Sequence, residues 1–294
     1  MNKYPLVSVG IITYNQRIYL KECIESILSQ DYPNIEIVVG DDGSTDGTQE
    51  MLKEYSKKYA GKFKLILSKR NEGITKNQNK VLSLCRGKYI AWMGGDDLML
   101  PGKIRKQVEY MENNPNCYIC YHNLEVFDSQ TGRVLYYFNE KNKYEGDVRI
   151  SIKYGTFNGA CSNMVRNFKD VRFNESLPVA SDWLYWIDIL AKGGTINYID
   201  EVLGKYRRHN KNVTKNTGGL NQNLIDHLNT INILLKKYPQ FKEEIYYRAS
   251  VLYRGLRHKI DYDKALRLSL SYRLNFKAFA GLLIFYLTFG KVRY

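Results

Sequence analysis

The stretch VSVGIITYNQRIYLKECIESILSQDYPNIEIVVG, residues 7–40, decides the fold. It begins with VSVGIIT, a nearly continuous β-branched run that is typical of a strand buried on both faces of a parallel sheet. Apolar residues then recur at the spacing of one helical face and predict a helix that ends near Pro33. The residues on that face are Leu20, Cys23, Ile24, Ile27 and Leu28. IEIVVG, at 35–40, predicts a second strand.

The same alternation continues to residue 121. The turn DDGSTDGT, at 41–48, precedes a helix that Thr45 or Asp46 can cap and that runs to about Tyr59. The remaining segments are a strand at 63–68, a helix at 74–85, a strand at 89–93, a helix at 101–113 and a strand at 117–121. A strand and a helix recur about every 25 to 30 residues, which predicts right-handed crossovers and a doubly wound α/β sheet.

A sheet of this kind binds ligands beyond the carboxyl ends of its strands. Three segments occupy such positions: 13–15 after the first strand, 41–42 after the second and 94–97 after the fourth. Asp residues are present in two of the three segments. The sequence therefore predicts an acidic ligand site at this edge of the sheet.

Composition and charge exclude several classes of protein. The 294 residues carry 44 Lys and Arg against 30 Asp and Glu, a net charge of +14, and 44% of them are apolar. That apolar share excludes an intrinsically disordered chain, and the lack of a Gly or Pro period excludes a fibrous one. The five cysteines are odd in number and scattered, which favours a reducing compartment over a disulfide framework.

The last quarter of the chain differs from the rest. The polar segment 210–220 is the candidate boundary before a helical tail without strand patterns. Residues 220–294 hold 13 Lys and Arg against 5 Asp and Glu, so most of the net charge belongs to this tail. The N-terminus lacks a secretory signal pattern. The longest apolar stretch, 278–290, is about 13 residues long, whereas a membrane-spanning helix needs roughly 20.

Two common nucleotide-binding motifs do not occur in the sequence. Neither G-x-G-x-x-G after the first strand nor G-x-x-x-x-G-K-[ST] is present. Acidic strand ends can hold a phosphate only through a divalent cation, because carboxylates repel phosphate oxygens. Asp96 and Asp97 lie where such a cation would be held, although an Asp pair there can also form a turn or a helix cap before Pro101.

Six motifs follow one another along the chain. They are VSVGIITYNQ, LKECIESILSQDYPNIEIVVGDDGSTDGT, NEGITKNQNKVL, GKYIAWMGGDDLMLP, SDWLYWIDILAKGG and YRRHNKNVT. In order and spacing they resemble glycosyltransferase family 2, the inverting nucleotide-sugar transferases with a GT-A fold. The resemblance covers roughly residues 5–215 and implies a GT-A-like, doubly wound, mostly parallel α/β sheet. It implies a catalytic domain at 1–215, with a nucleotide-sugar half at 1–121 and an acceptor half at 122–215, before a basic helical tail at 220–294.

The resemblance also implies which residues hold the nucleotide. Tyr14 would lie against the base, and Asp42 would accept a hydrogen bond from a base N–H with Asp41 beside it. A glycine at 73 suits a close approach of the backbone to the nucleotide. An Asx turn before Gly43 is the alternative role for the two Asp residues. The implied set is Thr13, Tyr14, Asn15, Asp41, Asp42, Asn71, Gly73 and Gly95.

The implied metal site departs from the family pattern. The family's Asp-x-Asp motif falls on Gly94, Gly95 and Asp96, so the first carboxylate is missing here. Asp96 would still bind the metal, Mn²⁺ or Mg²⁺, and Asp97 would orient it from behind. His209 matches a position that reaches the metal or the diphosphate in relatives.

The implied catalytic base is Asp182. Inverting transfer needs a base on the face of the sugar opposite the leaving diphosphate, and the family's acidic pair matches Ser181 and Asp182. Asp182 is thus left to accept the proton of the acceptor hydroxyl, a contribution of roughly 10²–10⁴ in rate. The alternative is a helix cap, and both roles can hold together.

The implied roles predict an enzyme that transfers a sugar, with inversion, from a nucleotide-diphosphate donor to a glycan or lipid-linked acceptor. The expected donor is a UDP-sugar, and the expected process is surface polysaccharide biosynthesis. The replacement of two family carboxylates, at Gly94 and Ser181, keeps an alternative open. This alternative is a catalytically silent nucleotide-sugar-binding protein of a glycan assembly complex.

Two other functions are disfavoured. A charge of +14 with 25 Tyr is typical of nucleic-acid binding, but the basic surplus lies in a tail without a recognisable nucleic-acid module, so we expect no nucleic-acid partner. Cys117 and Cys120 have the spacing of zinc ligands but lack a second ligand pair.

The basic helical tail at 220–294 has a composition that bears on where in the cell the protein lies. Residues 265–294 interleave basic residues with a short apolar run, a pattern that favours adsorption to an anionic membrane surface. Packing of the same apolar residues onto the catalytic body is the alternative. We accordingly expect a cytoplasmic enzyme, peripheral at the inner face of the cell membrane.

Overall fold

The computed structural model describes residues 4–210, 212, 221–257, 261–288 and 290–293. The chain divides into two compact units. The first comprises Met1–Val148 and Thr156–Asn212, and the second comprises Arg149–Gly155 and Val213–Tyr294.

The described residues form nine strands and ten α-helices. The strands are β1 (Val7–Thr13), β2 (Ile35–Asp41), β3 (Phe63–Leu67), β4 (Tyr89–Gly94), β5 (Leu98–Met99), β6 (Cys117–Asp128), β7 (Val134–Tyr137), β8 (Met164–Arg166) and β9 (Thr195–Arg208). The helices are α1 (Arg17–Leu28), α2 (Thr48–Lys58), α3 (Ile74–Leu84), α4 (Lys103–Asn113), α5 (Val148–Tyr154), α6 (Asp182–Leu190), α7 (Gln222–Lys237), α8 (Lys242–Gly255), α9 (Tyr262–Tyr272) and α10 (Phe276–Leu287).

All nine strands belong to one sheet of the first unit, in the order β3-β2-β1-β4-β8-β6-β9-β5, with β7 beside β6. Strands β1 to β4 are parallel to one another, and β6 is parallel to β9. The three-residue strand β8 runs antiparallel between β4 and β6. The predicted mostly parallel α/β sheet is therefore confirmed.

Helices cover both faces of the parallel part of the sheet. Alternate residues of β1, such as Val9 and Ile11, pack in one core with the inner face of α1. The opposite face of β1 lies against α3, where a Cβ on Gly10 would come within 3.2 Å of Val81. Burial on both faces explains why β1 and β2 read as nearly continuous apolar runs, interrupted inside the strands only at Ser8 and Glu36.

A buried carboxylate joins β1 and β2 at their amino-terminal ends. Glu36 accepts hydrogen bonds from Ser8 Oγ at 2.5 Å and from the Arg86 backbone N–H at 2.6 Å. It also forms an ion pair with Lys64 Nζ at 2.8 Å. Burial alone would raise the pKa of Glu36, but the bonds from Lys64, Ser8 and Arg86 outweigh it and lower that pKa to about 2. The charged form of Glu36 therefore stabilises the fold.

All five cysteines lie in the first unit with free, buried thiols. Burial raises the pKa of each thiol above its ordinary value, as at Cys85 and Cys117, where it reaches about 12. These thiols are therefore protonated at neutral pH and serve as small apolar core residues.

The predicted helices and strands up to residue 113 are present within a few residues of their expected bounds. Helix α2 begins at Thr48, and its cap position is Gly47 rather than the expected Thr45 or Asp46. The Asp46 carboxylate, one residue earlier, accepts from the Thr48 N–H at 3.1 Å. The final predicted strand extends from 117 to 128, beyond the expected 121. The sequence does not predict strands β5, β7, β8 and β9 or helix α5. Strands β5 and β8 have only two and three residues, β7 is exposed throughout, and β9 is largely half-buried.

The described part of the second unit contains helices and no strands, as the sequence predicted. Three of these helices begin at side-chain caps: Asn221, Asp261 and Asn275 accept from the N–H groups of Leu224, Lys264 and Ala278. No helix within the described residues is long and apolar enough to cross a membrane.

Helix α5 differs from the expectation. Its segment Arg149–Gly155 packs in the second unit, although the sequence placed it in the acceptor half. Arg149 contacts Glu244 at 3.8 Å and lies over the Phe241 ring, and Lys153 lies over the Tyr247 ring. These contacts join residues far apart in sequence, so no local pattern could indicate them.

Candidate active site

The carboxyl ends of β1, β2 and β4 meet at one edge of the sheet. Thr13 is in register with Asp41, and the Asp42 N–H donates to the Thr13 carbonyl at 3.0 Å. The Gly95 N–H donates to the Ile12 carbonyl at 3.0 Å. The three segments that the sequence selected therefore lie side by side.

The segment after β1 presents an aromatic ring to solvent. The Tyr14 side chain is 45% exposed. The next residue, Asn15, has a left-handed backbone with φ of 51°, which few non-glycine residues adopt. Its N–H donates to Ser44 Oγ at 2.7 Å, and its Oδ1 accepts from the Thr45 N–H at 2.8 Å. Asn15 thus fastens the end of β1 to the turn after β2.

Asp41 supports that turn from within. Its Oδ1 accepts from the Ser44 N–H at 3.0 Å and from Gln49 Nε2 at 2.6 Å. Its Oδ2 is buried and accepts no hydrogen bond from the described residues. The bond from Ser44 reaches three residues along the chain, whereas an Asx turn reaches two, so Asp41 supports the turn by a longer bond than the alternative predicted.

Asp42 holds the loop before α3. Its Oδ1 accepts from the Glu72 N–H and its Oδ2 from the Gly73 N–H, each at 2.9 Å. The Gly73 N–H is also 3.1 Å from Asn71 Oδ1. Gly73 has φ of 98°, and a Cβ there would meet no heavy atom within 4 Å. The backbone at Gly73 therefore faces open space, which suits close approach by a ligand.

Both glycines after β4 accommodate neighbouring polar side chains. A Cβ on Gly94 would lie 2.8 Å from Asp96 Oδ1 and 3.1 Å from an Asp97 oxygen. A Cβ on Gly95 would lie 2.8 Å from Thr13 Oγ1. The space that a side chain at position 94 would need is thus bordered by the carboxylates of Asp96 and Asp97.

Asp96 and His209 are in direct contact. His209 Nε2 lies 2.8 Å from Asp96 Oδ2, and Asn212 Nδ2 donates to the same oxygen at 3.2 Å. Asn212 Oδ1 accepts from the His209 N–H at 2.6 Å, which fixes the backbone beyond β9. The two predicted metal ligands, 113 positions apart in sequence, are thus brought together.

Asp97 lies behind this pair. It is buried, and its Oδ1 accepts from the Arg207 N–H at 3.0 Å. Burial, and secondarily the charge of Asp96, raise the pKa of Asp97 well above its ordinary value. Asp97 therefore contacts the backbone of β9 rather than solvent.

Arg207 was not singled out from the sequence, although it is part of the motif YRRHN. Its Nε donates to the Asp96 carbonyl at 2.8 Å, and its guanidinium pairs with Glu22. The guanidinium lies 4.7 Å from the centre of the Tyr19 ring, which also stacks on His209 at 4.9 Å. Arg207 and Tyr19 therefore fix the orientation of the Asp96–His209 pair. No local pattern in the sequence indicates this role, because the contacts of Arg207 join β9 to α1.

Asp182 is the first residue of α6. Its Oδ1 accepts from the Trp183 N–H at 2.9 Å, so its carboxylate lies at the positive end of the helix dipole. Burial nevertheless raises the pKa of Asp182 above its ordinary value. The preceding Ser181 bonds Thr75 Oγ1 at 2.9 Å, which ties the start of α6 to the first turn of α3. The loop that Asp42 holds and the start of α6 thus meet the same helix.

The residues fit a hard divalent cation with few protein ligands. No group of three or more His, Cys, Asp or Glu side chains with metal-binding geometry occurs within 4–210 and the other described ranges. Asp96 and His209 offer one carboxylate oxygen and one imidazole nitrogen at one point. Mg²⁺ and similar ions commonly bind through one or two carboxylates with substrate phosphates completing the shell, and this donor set matches that pattern.

Residues 8–172 match the model of the family described as glycosyl transferase family 2. The chain is 34% identical over 211 residues to an uncharacterized glycosyltransferase of Methanocaldococcus jannaschii, covering 70% of this chain and 72% of that protein. It is 28% identical over 219 residues to TuaG of Bacillus subtilis, which is provisionally named a teichuronic acid biosynthesis glycosyltransferase, covering 73% of this chain and 84% of TuaG.

Two solved structures resemble the fold. Residues 1–349 of S. aureus TarS, in complex with UDP-GlcNAc, superpose with a TM-score of 0.72 at 18% identity, covering 97% of this chain and 88% of that one. The mannosyltransferase PcManGT of Pyrobaculum calidifontis, in complex with GDP-Man and Mn²⁺, gives 0.63 at 16% identity, covering 99% and 82%. These likenesses confirm the GT-A-like fold that the sequence predicted.

Proposed function

The chain belongs to glycosyl transferase family 2, and from that premise we propose that it transfers a sugar, with inversion, from a nucleotide-diphosphate donor to a glycan or lipid-linked acceptor. The observation that carries the proposal is the contact of Asp96 with His209 beside the ends of β1 and β2. This contact joins a carboxylate and an imidazole at the edge of the sheet where ligands bind.

The nucleotide would lie between the segments after β1, β2 and β3. The exposed Tyr14 ring offers a face on which a base can stack. Asp42 would use its remaining lone pairs for a base N–H, while Asn71 and Gly73 line the adjoining loop. We propose a UDP-sugar as the donor, supported by the fold shared with TarS, whose structure contains UDP-GlcNAc.

Asp96 and His209 would hold Mn²⁺ or Mg²⁺. When bound, the cation supplies positive charge that stabilises the leaving diphosphate. Asp97 and Arg207 hold the backbone on either side of this pair, so that Asp96 and His209 need little reorganisation to bind. The fold shared with PcManGT, whose structure contains Mn²⁺, supports a divalent metal.

Asp182 would be the general base. Its carboxylate would accept the proton of the acceptor hydroxyl as the hydroxyl oxygen bonds to the anomeric carbon and the bond to the diphosphate breaks. The raised pKa of Asp182 brings its basicity closer to the working pH. Because the charged form must accept the proton, the rate should increase with pH through this raised pKa.

The acceptor would be a surface glycan under assembly, met at the inner face of the cell membrane. Similarity to TuaG, with its provisional name in teichuronic acid biosynthesis, supports this class of acceptor. The predicted division into a nucleotide-sugar half, an acceptor half and a basic tail belongs to the same proposal.

A donor panel tests the proposal. The purified protein is incubated with UDP-, GDP- and dTDP-sugars, with and without Mn²⁺, and release of nucleoside diphosphate is measured. We expect metal-dependent release with at least one donor, UDP-sugars first. No release with any donor, together with no metal-dependent thermal shift by any nucleoside diphosphate, would overturn it.

The base assignment is tested by Asp182→Asn. We expect the rate of transfer to decrease roughly 10²- to 10⁴-fold while donor affinity stays nearly unchanged. Asp188→Asn, on the same helix, is the matched control and should leave the rate unchanged within about twofold. A collapse of donor affinity in Asp182→Asn would show that its carboxylate supports the helix instead.

The second candidate is a catalytically silent nucleotide-sugar-binding protein. Gly94 favours it, since the family carboxylate there is missing and Asp96 and Asp97 border its space. This candidate predicts nucleotide binding without turnover, so release of diphosphate by the purified protein would exclude it.

A further inference from the structure

Helix α10 is apolar on nearly all sides. Of its twelve residues, FKAFAGLLIFYL, Lys277 is the only charged one. One face packs within the second unit: Ala278 is fully buried in a cluster with Tyr262 and Leu266 of α9, and Phe285 stacks on Tyr262 at 5.1 Å. The inner face of α10 is therefore already covered.

The outer face exposes large apolar side chains. Phe276, Phe279, Leu283 and Leu287 follow one another at i, i+3, i+7 and i+11, which places them on one side of the helix. Their exposed fractions are 82%, 52%, 50% and 70%. Leu274, just before the helix, is 84% exposed. So large a continuous apolar surface is typical of a binding face.

Basic residues border this surface at both ends. Residues 264–294 contain six Lys and Arg and no Asp or Glu. Arg273 and Lys277 lie at the start of α10, and Lys291 and Arg293 follow its end; all four are exposed. Positive charge around an apolar stripe complements an anionic lipid surface, where acyl chains receive the apolar residues and headgroup phosphates the cations.

We propose that the outer face of α10, defined as Phe276, Phe279, Leu283 and Leu287, binds an anionic membrane surface with the helix axis parallel to it. Lys277, Arg273, Lys291 and Arg293 contact the lipid phosphates. This inference deepens the proposed function, on which it rests for its purpose, since it places the enzyme where a lipid-linked acceptor is found.

A parallel orientation follows from the helix length. Twelve residues rise about 18 Å at roughly 1.5 Å each, whereas the hydrocarbon core of a bilayer is about 30 Å thick. The capped start at Asn275 and the bend to Lys291 keep basic residues at both ends. Both ends of α10 can therefore stay at the headgroups while its outer face enters the acyl region.

Vesicle flotation tests the apolar part. The full chain, without donor, is mixed with phosphatidylcholine vesicles with or without phosphatidylglycerol. We expect binding to the phosphatidylglycerol vesicles and at least about a tenfold loss of the partition coefficient in the double variant Phe276→Ser, Leu287→Ser. The control Ile18→Ser removes a side chain of similar exposure, 74%, from α1 of the first unit and should leave binding unchanged.

The charged part is tested in the same assay. Lys291→Gln with Arg293→Gln should weaken binding roughly fivefold per residue, and added salt should abolish the difference. The control pair Lys53→Gln with Lys57→Gln removes the same charge from the exposed side of α2 and should leave binding unchanged. Every substituted side chain is exposed, so we expect all variants to fold, and circular dichroism checks this.

Three results would overturn the inference. The first is no binding of the full chain to anionic vesicles. The second is a loss of vesicle binding in the control variants equal to that in the test variants. The third is self-association of the chain that the double variant Phe276→Ser, Leu287→Ser abolishes while its vesicle binding persists. The last result would identify the face as a contact between copies of this chain. Vesicle binding without any sugar transfer would instead contradict the proposed function and leave this inference intact.

Discussion

Asp42→Asn separates a structural role from a nucleotide-binding role. Both Asp42 oxygens accept hydrogen bonds from backbone N–H groups, those of Glu72 and Gly73, at 2.9 Å. An Asn side chain keeps one acceptor oxygen and turns an N–H₂ group toward the other N–H. The substitution therefore removes one hydrogen bond to a charged group and places an amide donor against a backbone N–H.

The magnitude follows from that single bond. A hydrogen bond to a charged group contributes about 1.5 to 3 kcal/mol, which corresponds to roughly a 10- to 150-fold change in an opening equilibrium. We expect amide hydrogen exchange at Glu72 and Gly73, measured without nucleotide, to accelerate by that factor in Asp42→Asn.

The neighbouring Asp41→Asn is the matched control. Asp41 bonds Ser44 and Gln49 through Oδ1 alone, and its Oδ2 has no partner among the described residues. An Asn oxygen can keep those two bonds, so exchange at Glu72 and Gly73 should change less than about threefold. Unchanged exchange in Asp42→Asn, with loss of nucleotide affinity alone, would refute a structural role for the Asp42 carboxylate.

Further substitutions test the rest of the first unit. The lowered pKa of Glu36 adds stability above pH 4.5 that is lost as the pH falls toward 2. Glu36→Gln should therefore reduce the free energy of unfolding by about 2 to 3 kcal/mol at pH 7. Urea unfolding measured between about pH 2 and 7 should show a weaker dependence on pH in this variant. Gly43→Ala places a Cβ 2.5 Å from backbone at φ of 82° and should cost at least about 3 kcal/mol, whereas Gly61→Ala, at φ of 83° in open space, should cost about 1 kcal/mol. Gly94→Asp should destabilise the metal-free protein by about 1 to 3 kcal/mol, a loss that added Mn²⁺ reduces because the cation offsets the repulsion with Asp96. Equal costs for the two Ala variants, or no response of the Asp variant to Mn²⁺, would contradict these predictions.

The parallel half of the sheet could be predicted because its local patterns are strong. Strands β1 and β2 are buried on both faces, so most of their residues are apolar, and α1 shows one apolar face. Strands β5 and β8 could not be predicted, because two or three residues are too few to show the alternation of apolar and polar residues that is typical of a strand. In β9 most residues are half-buried or exposed, so the polar sequence TINYIDEVLGKYRR does not indicate the strand that pairs with β6 and β5.

The sequence predicted individual residues and segments of the candidate site but not the contacts between them. Strand order brings the segments after β1, β2 and β4 together, and the family resemblance pointed to Asp96 and His209, which the fold brings into contact. The sequence could not reveal that Arg207 lies between Tyr19 and the Asp96 carbonyl, because that arrangement depends on packing between α1 and β9. For the same reason, the hydrogen bonds from the loop at Glu72 and Gly73 to Asp42 had no local signal.

The positions of the cysteines allow unfolding of the first unit to be measured separately from that of the second. Every thiol is buried, and all five lie in the first unit, none in the second. A thiol-reactive probe therefore labels the protein only when the first unit opens, whatever the helices of the second unit do. Pulsed alkylation followed by mass spectrometry can thus time the opening of the first unit in the intact chain. Cys23 reports on helix α1, and Cys161 reports on the surroundings of Asp97.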